Sequence, residues 1–133
     1  MASREKAGDS GWSVDAELEQ FIRTPVVSLW GLETLLLLRR SPALAWTADA
    51  VAAELRSSPQ LCGNILERLT VAGLLVRSDT GFSYQPASAA SEDLARRLER
   101  AYRYSPIAVR RAIAAGHAER SRGADRPHDR ESR

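Results

Sequence analysis

Helical periodicity punctuated by proline and glycine, one short strand-like pair of stretches, and a return to helical spacing predict a mainly α protein with a small β-hairpin. Apolar residues recur at three- and four-residue intervals through 14–22, 29–38, 51–55 and 62–69. Thr24-Pro25, Ser41-Pro42, Ser58-Pro59 and Ala72-Gly73 break those runs. Ser78-Asp79-Thr80-Gly81 then reads as a turn between two strands, and helical spacing resumes at Ser91.

The chain of 133 residues is long enough for one domain with a modest core. An apolar share of 44% beside 27% charged residues is the balance of a globular domain. No apolar run approaches the roughly 18–20 residues of a membrane span. The start, MASREKAGDSGW, lacks the apolar segment of a secretory signal, so the expected location is cytoplasmic, with no membrane partner. The single cysteine, Cys62, excludes an internal disulfide and a cysteine-based zinc cluster. Its inward register reads as a small buried hydrophobe. The net charge of +2 conceals an uneven distribution. Residues 27–90 carry five charges of each sign, whereas residues 91–115 carry six positive and three negative. A neutral middle falls short of the basic stripe of a nonspecific nucleic-acid binder.

Taken in order, residues 1–12 are polar and expected to be disordered. Ser13 is a candidate N-cap for a short helix burying Val14, Leu18, Phe21 and Ile22, which Thr24-Pro25 ends. Ser28 caps a helix running to about Arg40. Its Leu29, Trp30, Leu32, Leu35, Leu36, Leu37 and Leu38 leave few polar positions, so it is expected to be buried nearly all round, with Glu33 the one carboxylate in the run. Arg39 and Arg40 suit the negative end of its dipole. Thr47 caps the next helix, which buries Val51, Ala52 and Leu55. After a tight turn at Ser57-Ser58, Ser58 caps a third helix with Pro59 at its first position. That helix, 58–72, buries Cys62, Ile65, Leu66 and Leu69, and Gly73 closes it in the left-handed conformation. Leu74–Arg77 and Phe82–Gln85 form the hairpin. Beyond the linker PASAA, Ser91 caps a helix through Tyr102 or Tyr104. Leu94, Leu98, Ala101 and Tyr102 share one face of it, and Arg96, Arg97, Arg100 and Arg103 share the other. Those arginines read as a solvated face or as partners of nearby carboxylates. Pro106 opens a further helical stretch, and from Gly116 the tail is expected to be disordered. The expected organisation is thus 1–12, a main domain 13–90, C-terminal helices 91–115 and a tail 116–133. Trp12, Trp30 and Trp46 are expected at the core or its edge.

The order of three helices, hairpin and helix, with a tight turn before the third helix, resembles the winged helix-turn-helix superfamily, most nearly small bacterial MarR-like regulators. The resemblance is carried by TADAVAAELRSSPQLCGNILERLTVAGLLVR followed by GFSYQP. Its most telling part is Leu66-x-x-Leu69-x-x-x-Gly73-Leu74-Leu75, where the family's recognition helix hands over to its wing. The resemblance implies a transcriptional regulator that binds duplex DNA through helix 58–72 and wing 77–83. Gln60 and Asn64 would then pair with adenine edges. Ser58, with the helix's first amides, would hold a phosphate. Arg68, Arg77 and Thr80 would touch the backbone, with Arg39, Arg40 and Arg56 as further cations. Because terminal helices dimerise in MarR-like proteins, Leu94, Leu98, Tyr102 and Ile107 would form a homodimer seam, or else pack on the domain.

Leu61 and Gly63 stand where that family offers polar or basic groups, and the wing tip carries Asp79 and no cation. A second reading is therefore a winged-helix module that binds protein, with little or no DNA binding. No phosphate-cradling glycine loop, Cys/His pair or nucleophile elbow occurs, so no enzyme activity and no cofactor are expected. Glu33 lacks a titratable companion, and His117 and His128 lack the ligands of a metal site.

Overall fold

The computed structural model describes residues 14–131, with side-chain surroundings through Glu119. The segment 1–12 with its Trp12, and the capping role read for Ser13, lie outside the described residues. The protein is mainly helical with one small antiparallel hairpin, an architecture compatible with a winged helix.

Helix α1 (Ala16–Phe21) is capped by Asp15, whose Oδ1 accepts the Leu18 N–H at 2.9 Å. It buries Leu18 and Phe21, and Ile22 continues the same stripe into a wide turn, Ile22–Val26. The chain reverses at Val27, where the Ser28 N–H reaches the Val26 carbonyl at 2.7 Å. Val27 holds φ 72° there, a strained conformation for a β-branched residue.

Helix α2 (Leu29–Arg40) starts at Ser28, whose Oγ accepts the Gly31 N–H at 3.0 Å. A Cβ on Gly31 would stand 2.0 Å from the Val26 oxygen, so glycine is what lets α2 approach the preceding turn this closely. Leu32, Leu35, Leu36, Leu37 and Leu38 are buried as expected, and α2 is central to the core. Its first turn departs from the expectation. Leu29 and Trp30 are 39% and 40% exposed, because they project past the core beside the ends of neighbouring helices.

Helix α3 (Ala48–Leu55) is capped by Thr47, and α4 (Pro59–Val71) by Ser58, whose Oγ accepts the Leu61 N–H at 3.1 Å. Cys62, Ile65, Leu66 and Leu69 are all buried along one face of α4. Burial also pushes the Cys62 thiol pKa up, as suits a core position. Gly73, at φ 86°, turns the chain into the hairpin.

The strands are β1 (Leu75–Ser78) and β2 (Gly81–Tyr84), with Leu75 opposite Tyr84 and Ser78 opposite Gly81. Each lies within one residue of its sequence-based position. Trp46 adds a single-residue third rung by exchanging both backbone hydrogen bonds with Phe82, at 2.7 and 2.8 Å. The half-buried Trp46 packs against the core from this edge.

Helix α5 (Ala89–Tyr104) is capped by Ser88 rather than Ser91. The alanines of the expected linker are good helix formers and extend the helix backward. Helix α6 (Pro106–Glu131) carries on through Gly116, where an unstructured tail was expected. Gly116 is buried one turn after Ile113, extending the inward stripe of Val109 and Ile113. Ala95, Leu98, Ala101, Val109 and Ile113 belong to the same core cluster as α2 and α4. The C-terminal helices thus complete the main core. Among the described residues, no single helix is long and apolar enough to cross a membrane.

Candidate functional site

The turn between α3 and α4, the outward face of α4 and the hairpin form the region to which the sequence assigns binding. Helical spacing puts Gln60, Asn64, Glu67 and Val71 on one outward line of α4, and all four are exposed. The side chains of Gln60 and Asn64 make no hydrogen bond among the described residues, so their amides face solvent. The Ser58 hydroxyl is engaged as the helix cap. Thr80 is exposed at the hairpin turn, its hydroxyl 3.2 Å from that of Ser78.

The two arginines assigned to phosphate contact are placed differently from each other. Arg68 lies on the flank of α4 and is half-buried. Its Nε donates to the Pro25 carbonyl at 2.7 Å and its Nη2 to the Val26 carbonyl at 3.2 Å. It ties α4 to the turn between α1 and α2, which corrects its expected place on the open face. The carbonyls of that irregular turn lack helical partners, and a guanidinium satisfies two of them at once. Arg77 does lie on the outward side, but its Nη1 donates to Glu67 at 2.7 Å and its guanidinium stacks 5.4 Å from the Phe82 ring centre.

The same face exposes Leu61, which the sequence places outward, and two apolar side chains that the sequence leaves unassigned, Val71 and Val76. Val71 is 87% exposed, Val76 41% and Leu61 36%. Spacing from Gln60 and Asn64 was signal enough to place Val71 outward. Glu67 lies opposite Arg77, and Asp79 at the hairpin turn is balanced by exposed Arg56 at the α3–α4 turn, so the face carries no cationic excess.

At the base of the hairpin the polar groups are instead locked together. The Tyr84 hydroxyl donates to Glu92 at 2.6 Å, and Arg39 donates to Glu92 at 3.0 Å and to Glu99. The Arg39 guanidinium also lies 5.9 Å from the Tyr84 ring centre. Burial, and then the bond to ionised Glu92, push the Tyr84 pKa up to about 12. The Tyr84 hydroxyl, with Arg39 beside it, holds the Glu92 carboxyl below its ordinary value. An open cleft of about 500 Å³ beside this cluster is lined by Arg39, Tyr84, Glu92 and two prolines. Arg39 is therefore committed to α5, while Arg40 and Arg56 remain exposed.

The expected dimer seam is largely internal. Leu98 is fully buried, Leu94 and Tyr102 are half-buried against the core, and only Ile107 is open, at 63%. The structure thus corrects the seam in favour of packing on the domain, because α5 uses its apolar face to close the core. Tyr102 donates to Glu33 at 3.1 Å, so that carboxylate is a packing partner at the helix edge. On the opposite face, Arg97 pairs with Asp15 and Glu17 at 2.8 Å each, and Arg96 pairs with Asp93.

No family model, curated protein or solved structure matches this chain.

Proposed function

We propose that the chain is a winged-helix module whose α4 and hairpin face docks a protein partner. The order of α3, a tight turn, α4 and the hairpin supports the winged-helix reading. The observation that carries the function is the composition of the outward face: Leu61, Val71 and Val76 exposed beside Glu67 and Asp79, with Arg77 already opposite Glu67. Phosphate binding draws its affinity from uncompensated cations. Protein interfaces instead bury an apolar centre within a polar rim.

A specific observation favours a second reading. Gln60 and Asn64 present free amides near the start of a helix after a tight turn, the groups that read adenine edges in the major groove. On that reading the chain is a bacterial-type transcriptional regulator of duplex DNA.

One experiment separates the two. The tagged chain is purified from nuclease-treated extract beside Val71→Asp and Asn64→Ala variants, and the purified forms are titrated with duplex DNA at low salt. The protein reading expects a stoichiometric partner whose purified form binds the chain and is lost with Val71→Asp. Salt-sensitive DNA binding that Asn64→Ala removes and Val71→Asp spares would overturn it.

A further inference from the structure

Leu29 and Trp30 open the most leucine-rich helix of the protein, yet both are well exposed. Leu29 separates two shallow grooves. One, of about 330 Å³, lies toward α6 and is lined there by Ile113, Arg110 and His117. The other, of about 360 Å³, lies toward the end of α3 and is lined by Trp30, Leu55, Glu33 and Glu54, with Arg56. Ile107 sits one turn before Arg110 on α6 and adds a further open apolar side chain.

The charges on this face are arranged by end. The α6 end offers Arg110, which is exposed and makes no ion pair among the described residues. The α3 end carries two carboxylates against the single guanidinium of Arg56, and Glu54 is exposed without an ion-pair partner there. The centre is apolar.

We propose that this face docks a second copy of the chain in a two-fold symmetric dimer. A two-fold axis near Leu29 lays the α3 end of one copy over the α6 end of the other, so Glu54 faces Arg110 twice and the two Leu29-Trp30 pairs cover each other. An isologous interface requires one patch to complement itself, and opposite charges at its two ends meet that requirement. This seam is distinct from the α5 face, which the core already consumes, and is independent of what the α4 and hairpin face binds.

Sedimentation equilibrium of the full chain, from low micromolar to submillimolar concentration, tests the proposal. The wild type is expected to dimerise. Trp30→Glu, Glu54→Arg and Arg110→Glu are each expected to weaken dimerisation, on the order of tenfold for the charge reversals. The combined Glu54→Arg/Arg110→Glu variant, in which both pairs are restored with the signs exchanged, is expected to recover it. Circular dichroism identifies any variant that fails to fold, and the charge reversals at exposed positions then carry the test without Trp30→Glu. A chain that stays monomeric throughout overturns the proposal. So does a double reversal that dimerises no better than the single ones.

Discussion

The two ends of the hairpin treat charge in opposite ways. At its base, Arg39 is 16% exposed and lies between Glu92 and Glu99, with Tyr84 beneath it. Toward its tip, Arg77 is 63% exposed and meets a single, equally open Glu67. Both are ion pairs by distance, but solvent screens the second, and only the first fastens the hairpin to two helices, α2 and α5. The difference teaches that arginines counted in a sequence are not cations offered to a ligand. Arg39 and Arg68 serve the interior, and Arg77 on the outward face is already opposite Glu67.

Removing the buried side of this contrast should have the largest effect. Arg39→Met leaves Glu92 and Glu99 without the guanidinium they share and is expected to cost about 3 kcal/mol in a denaturant titration. A cost as small as that of the tip substitution below would erase the distinction. Arg68→Met strips donors from the Pro25 and Val26 carbonyls and is expected to cost about 2 kcal/mol, without altering partner or DNA affinity once the protein is folded. A selective loss of binding at full stability would return Arg68 to the open face.

Tyr84→Phe is expected to cost about 1 kcal/mol near neutral pH and to change how stability depends on pH. The lowered Glu92 pKa stabilises the fold above the ordinary carboxylate range, and that contribution is lost as pH falls through its folded value. The raised Tyr84 pKa has the opposite sign: its contribution is present below the ordinary value of 10.0 and is lost as pH rises toward about 12. The gap in melting temperature between wild type and Tyr84→Phe should therefore be widest at neutral pH and narrow at both extremes. A gap independent of pH would mean that the hydroxyl does not govern Glu92. The smallest effect is expected at the tip, where Arg77→Ala should change stability by no more than about 0.5 kcal/mol.

Much of the fold was legible because it depends on neighbours a few residues apart. The caps at Ser28, Thr47 and Ser58, the left-handed Gly73, the buried face from Cys62 to Leu69 and the hairpin all follow from local spacing. Ser88 and Ser91 show the limit of such signals, since two serines one turn apart are both credible caps. Of the candidate site, the exposure of Gln60 and Asn64 was legible from helical phase, but the fate of the arginines was not. Helical phase places Arg68 on a flank; it does not reveal that carbonyls 42 and 43 positions earlier will receive it. Nor does it reveal that Arg39 finds Glu99 across 60 positions, or that Leu29 and Trp30 overhang the core. The sequence by itself determined which faces turn inward, because burial follows periodicity. Only the tertiary structure decided which polar groups are used up inside and which apolar ones stay open, because those outcomes depend on the partner that long-range packing brings alongside.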